Sequence, residues 1–210
     1  MSILHPTYFP NIAFFTVFAQ SDAITWEVHG NYQKQSFRNR TYICTDRGKY
    51  MLSIPISHLG NHNGKQLNQD VKIDNSYPWQ RRHWRTLETA YRTSPFFEYY
   101  EDDIKPLYEN EFEYLIDFNL KTIEIICDCL QIEIPSKRTE KFEHTPESDA
   151  DFRYLANAKS NIQLEQENYV QVFGDRHGFL PNLSILDLLF NLGPSAAAYL
   201  KNTKLATSNA

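Results

Sequence analysis

Apolar positions along this chain fall into short buried runs at its start and helical stripes in its middle. Ser2 to His5 reads as a short strand, and Pro6 and Pro10 force a tight loop after it. Ile12 to Gln20 (IAFFTVFAQ) is apolar nearly all round, as a short buried helix would be, and Ala23 to Val28 reads as a second strand. Strand, loop, helix and strand in so short a span predict a βαβ unit with a parallel pair. Tyr42 to Ile56 predicts a hairpin, because Asp46-Arg47-Gly48 separates two β-rich runs. His58 to Lys65 reads as a polar loop, and Gln69 to Ile73 as another strand.

Helical periodicity then takes over. Between Trp79 and Thr93, His83, Trp84, Leu87, Ala90 and Tyr91 share one face, while Arg81, Arg85, Glu88 and Arg92 line another, with Glu88 and Arg92 at i,i+4. Ser94 and Pro95 predict the start of a second helix that buries Phe97, Tyr100 and Ile104 and is kinked or divided at Pro106. Glu111 to Leu130 is the longest helical candidate, with Asn119 set unusually on its apolar stripe. The polar stretch from Pro135 to Gln166 predicts a mobile connection, and Tyr169 to Phe173 a strand. Ser184 with Asp187 resembles a capping box opening ILDLLFN, which Gly193-Pro194 closes. The last dozen residues should fray. The expected architecture is α/β: a single domain over residues 1–200 with a central mixed β-sheet, an N-terminal βαβ unit and a helical middle section, followed by a flexible tail over 201–210.

Composition narrows the class. A chain of 210 residues supports one substantial core. Its net charge of −5 argues against broad nucleic-acid or anionic-membrane binding, so no nucleic-acid partner is expected. No window approaches the length of an apolar membrane span, and the N-terminus lacks the pattern of a signal peptide. The three cysteines, Cys44, Cys127 and Cys129, are too few for a disulfide framework, and the cytoplasm is the expected location.

Candidate chemistry concentrates in two stretches. Trp79 to Tyr108 holds two Trp, two Phe, four Tyr, one His and four Arg. Tyr32 to Arg40 (YQKQSFRNR) ends in Arg38, Asn39 and Arg40, two forked donors and an amide able to clamp a phosphate or carboxylate. The ordinary alternative is a structural ion pair of one Arg with Glu98, Glu101 or Asp102. His5 ends the first strand, where α/β proteins place ligands, and His83 lies beside Trp84; either could move a proton or be a satisfied buried imidazole. Tyr8, Trp79, Trp84 and Tyr91 are candidate stacking walls, with Arg82 and Asn119 as further binding residues. No phosphate-binding glycine loop and no nucleophile elbow is present. Cys127 and Cys129 point to different sides of a helix, and His58 and His62 sit in a loop, so no metal site is expected.

On these residues the chain resembles the WbqC-like protein family, most closely its Bacteroidetes-type members. The matching pieces run in order from His5-Pro6-Thr7-Tyr8-Phe9-Pro10 through Tyr32–Arg40, Trp79–Trp84 and Tyr91–Tyr100 to Pro181–Asn191. The resemblance implies a transferase of aminoacyl (glycine) or activated-sugar groups in O-antigen or lipopolysaccharide biosynthesis, acting on an anionic or sugar-linked small molecule. His5 and His83 would then move protons, and Arg38, Asn39 and Arg40 would hold the anion. The alternatives are a non-catalytic nucleotide- or sugar-ligand binding protein and a nucleotidyltransferase-like enzyme. The chain departs from the wider family's pattern in having His5 for Gln, Asn11 for Trp, and Val28 and His29 for a paired Asp. The functional reading requires the N-terminal loop, the amide/arginine run and the Trp/His helix to meet in one cleft.

Overall fold

The computed structural model describes residues 1–57, 66–146, 150–160 and 162–206. The predicted loop 58–65, with His58 and His62, lies outside the described residues. The chain opens as expected. β1 (Ser2–Leu4) and β2 (Ile24–Trp26) pair in parallel around α1 (Ile12–Gln20), whose near-continuous apolar surface is buried. Single bridges add Asp151 beside Ile3 and Arg138 beside Trp26, both parallel, so the pair is flanked on each side by later chain.

β3 (Arg40–Thr45) and β4 (Gly48–Ser53) form the expected antiparallel hairpin, with Gly48 at φ +93° where a side chain would be strained. α2 (Trp79–Tyr91) buries the predicted stripe, and Arg92 pairs with Glu88. α3 (Phe97–Ile104) and α4 (Pro106–Glu109) are separated at the position Pro106 demands. α5 (Leu115–Leu130) carries the central apolar stripe. A short α6 (Gly174–His177) precedes α7 (Ile185–Leu192) and α8 (Ala196–Asn202). Ser184 caps α7 and Gly193 ends it.

The architecture is α/β, but among the described residues the strands do not merge into a central sheet. They form three two-stranded ribbons embedded among helices. Residues 69–73 are not a strand: a 3-10 turn at Asn68–Asp70 leads into isolated bridges at Lys72 and Ile73. Tyr169 to Phe173 makes no ladder either, because its inward side chains bond to α7 instead. Ser94 does not cap α3, since its hydroxyl donates back to the Tyr91 carbonyl. The described parts of the connection over 135–166 are pinned rather than loose, with Lys137 and Thr139 bonded to Trp26 and Ala150 and Phe152 bonded to Ile3. The chain as far as Leu205 is likewise held, and the rest of the expected tail, 207–210, lies outside the described residues. β6 (Lys204–Leu205) pairs with β5 (Leu164–Glu165), and Gln20 donates to the carbonyls of Leu200 and Thr203.

Candidate functional site

The loop leaving β1 is buried from His5 to Asn11. Asn11 caps α1 by accepting the Phe14 N–H at 3.0 Å, which explains an amide in an apolar stretch. Phe9 sits at φ +36°, a costly backbone for a bulky residue. Its neighbours hold it there: Tyr8 N donates to Phe37 O, and the hydroxyls of Thr41 and Ser184 both donate to Phe9 O. The loop is thereby fastened to the amide/arginine run, to the hairpin and to α7.

His5 projects from this loop beside Arg38. Its Nδ1 donates to the Glu27 carbonyl at 3.1 Å, which leaves the lone pair on Nε2. Burial, then the Arg38 charge, push its pKa well below the ordinary value, so the ring is neutral at neutral pH. Glu27 acts on Arg38 through its charge alone, without an ion pair. Its Oε1 accepts from the backbones of His29 and Gly30 and from Thr139, and its Oε2 lies 3.6 Å from Arg153. Arg153 is in turn clamped by Asp151 through two bonds of 2.8 and 2.7 Å.

Arg38 is only 2% exposed, and its Nε and Nη1 have no hydrogen-bond partner. Among the described residues no carboxylate lies within ion-pair distance of its guanidinium; of the acids that could have paired with it, Glu101 takes Arg92. Burial lowers its pKa to about 10. Tyr32 lies close enough to both Arg38 and Arg40 for their charges to act on its phenol. Asn119 donates to the carbonyls of Arg38 (2.8 Å) and Pro6 (3.4 Å), so this amide on the stripe of α5 ties the two motifs together. Asn39 fastens the run to the hairpin through Ile54, and the Arg40 Nε is also unpartnered.

His83 belongs to a second group. Tyr8 OH lies 2.9 Å from His83 Nδ1 and 2.8 Å from Tyr108 OH, and the Ser53 carbonyl also faces the imidazole. The tautomer that satisfies these partners has Nε2 protonated toward Ser53 and Nδ1 accepting from Tyr8. Burial holds the His83 pKa down at about 4. Trp79 packs edge-on against His83, and together with Arg82 they border a surface cleft of about 570 Å³. Neither His5, Arg38 nor Arg40 lines this cleft. Two neighbouring groups therefore stand where the sequence predicts one cleft, joined by the segment from His5 to Tyr8.

Two predicted wall residues face elsewhere. Trp84 stacks on Phe97 and packs against Tyr108 in the core, because the helical turn directs it away from the cleft. Tyr91 is fully buried and donates to Asp187 Oδ1. Asp187, which the sequence presents as half of a capping box, is a buried hub whose Oδ2 accepts from Tyr169 and Gln171. Nothing local distinguishes it from a surface acid. The Cys127 and Cys129 thiols are pushed up to about 12 by burial, which makes them poor nucleophiles. Among the described residues no group of three or more His, Cys, Asp or Glu is placed to hold a metal ion, and no helix is long and apolar enough to cross a membrane.

A similar protein is Rv1507c of Mycobacterium tuberculosis, itself uncharacterised, at 26% identity over 96% of this chain and 97% of its own length. No solved structure matches. The model of the WbqC-like protein family matches residues 5–166, a span holding every residue of both groups, and the chain belongs to that family.

Proposed function

We propose that this protein binds the anionic group of a small-molecule substrate at Arg38 and acts as a transferase of an aminoacyl or activated-sugar group in surface-polysaccharide modification. One observation supports the binding step above all: a buried guanidinium with two unpartnered nitrogens and, among the described residues, no carboxylate within ion-pair distance. Such a group costs folding free energy, and an apolar side chain of similar volume would cost less. A phosphate or carboxylate would satisfy its forked donors in the geometry they favour. His5 stands next to it with the Nε2 lone pair free of the Glu27 contact. A bound anion would offset the Arg38 charge that depresses its basicity, so His5 is the group situated to take a proton from an acceptor. His83 is a positioning residue in this reading, because Tyr8 and Ser53 occupy its ring.

The test is calorimetric titration of the whole protein with phosphate, pyrophosphate, nucleotide sugars and glycine-bearing donors, repeated on Arg38→Met. Loss in the variant of at least one ligand that the parent binds is the expected result. Equal binding by both would remove Arg38 from the site. A non-catalytic ligand-binding role is favoured by one finding, that both imidazoles are buried and neutral with Nδ1 engaged. Binding without turnover across the whole donor panel would select it.

A further inference from the structure

The cleft between β4 and α2 has a character of its own. Tyr50 and Tyr77 stand at its rim, 46% and 61% exposed, and Trp79 and His83 lie at its edge. Arg82 and Arg85 reach it from successive turns of α2, both exposed, and among the described residues neither has a carboxylate within ion-pair distance. Among the described residues no Asp or Glu lines this cleft, although the chain carries 26 acidic residues. The nearest carboxylate-bearing cleft, which shares Tyr50, Arg85 and Thr86 with it, contains Asp46, and other clefts contain Asp103 and Asp128, Glu27 and Glu140, or Asp22. The lining that joins Tyr77 and Trp79 to Arg82 and Arg85 is itself without a carboxylate.

We infer that this cleft is a second ligand site, separate from Arg38, that takes a phosphate-bearing aromatic ring of the nucleoside diphosphate class. Residues at i,i+3 share a helix face and rise about 4.5 Å along the axis, a spacing that lets Arg82 and Arg85 engage neighbouring phosphoryl groups. Thr86 and Thr89 donate back to the carbonyls of Arg82 and Arg85, which leaves the guanidinium groups as the polar termini facing the opening. Tyr50 and Tyr77 supply faces for a planar base, and a volume of about 570 Å³ suits a ligand of that size. The neutral His83 adds no charge of its own, so the attraction for phosphate rests on the two arginines. This inference does not rest on the Arg38 reading.

The experiment titrates the full chain with ADP, adenosine and pyrophosphate, following tryptophan emission, to which Trp79 at the cleft contributes, and heat. ADP should bind and change the emission, and adenosine and pyrophosphate should each bind roughly tenfold or more weaker. The exposed double change Arg82→Gln with Arg85→Gln should lower ADP affinity by roughly tenfold or more while leaving the melting temperature in place. Tyr77→Ala should lower it by about tenfold. No ADP binding at millimolar concentration overturns the inference, as does affinity unchanged in the double variant. Loss of ADP binding in Arg38→Met alone would assign the nucleotide to Arg38 and overturn the cleft. Pyrophosphate binding as tightly as ADP would remove the aromatic part and overturn the class.

Discussion

Arg38 makes a prediction that separates function from fold. With its guanidinium buried and without an ion pair, Arg38→Met should raise stability by roughly 1–4 kcal/mol, read from urea midpoints, while abolishing binding of the anion that this guanidinium holds. A variant that loses stability would show that the guanidinium is satisfied inside the fold. His83 predicts a pH dependence. Its folded pKa of about 4 lies below the ordinary 6.5, so the unfolded chain takes up the proton first as pH falls. Stability is therefore complete above pH 6.5 and declines as pH drops toward 4, by on the order of 3 kcal/mol from this ring. His5, whose pKa is depressed by burial and by Arg38, acts in the same direction. His83→Gln keeps an acceptor for Tyr8 and a donor for Ser53, and it should flatten the acid limb without removing it. An unchanged limb would exclude His83 as its source.

At the scale of elements, the α7–α8 corner is the tightest joint. Gly193 sits at φ +53°, and a Cβ there would fall 2.5 Å from the Phe96 ring. Gly193→Ala should cost roughly 2–5 kcal/mol from clash and backbone strain together, measured by chemical denaturation. The elements that were legible in the sequence are those with a strong internal period: α1, α2, α5 and the hairpin, whose turn is set by Gly48. The misread ones show what alternation means. Val71 and Ile73 do alternate inward, but their backbones bond singly to Leu115 and Glu113, so the pattern records burial and not a ladder. Tyr169 and Gln171 alternate for another reason, their reach to the Asp187 carboxylate. Among candidate site residues, types and neighbourhoods were readable, since Arg38, Asn119 and the His5 loop do meet. That Arg38 lacks a partner, that Trp84 turns onto Phe97 and Tyr108 and that Asp187 is buried under Tyr91 and Tyr169 depend on contacts between separate elements, which local pattern does not encode.

For the whole molecule, the βαβ start is local in sequence but not in support. Trp26 exchanges backbone bonds with Lys137 and Thr139, and Ile3 with Ala150 and Phe152. A chain truncated after residue 135 should therefore leave the N-terminal unit open to proteolysis, whereas the full chain protects it; equal protection of both would show that the unit stands alone. During synthesis β1 waits for residue 152 before its edge is covered. At ordinary translation rates that interval is on the order of ten seconds. Throughout it, a naked parallel pair and the aromatic surface of α1 stand open to wrong pairing, so the order of synthesis leaves the first-formed edge as the last to be closed.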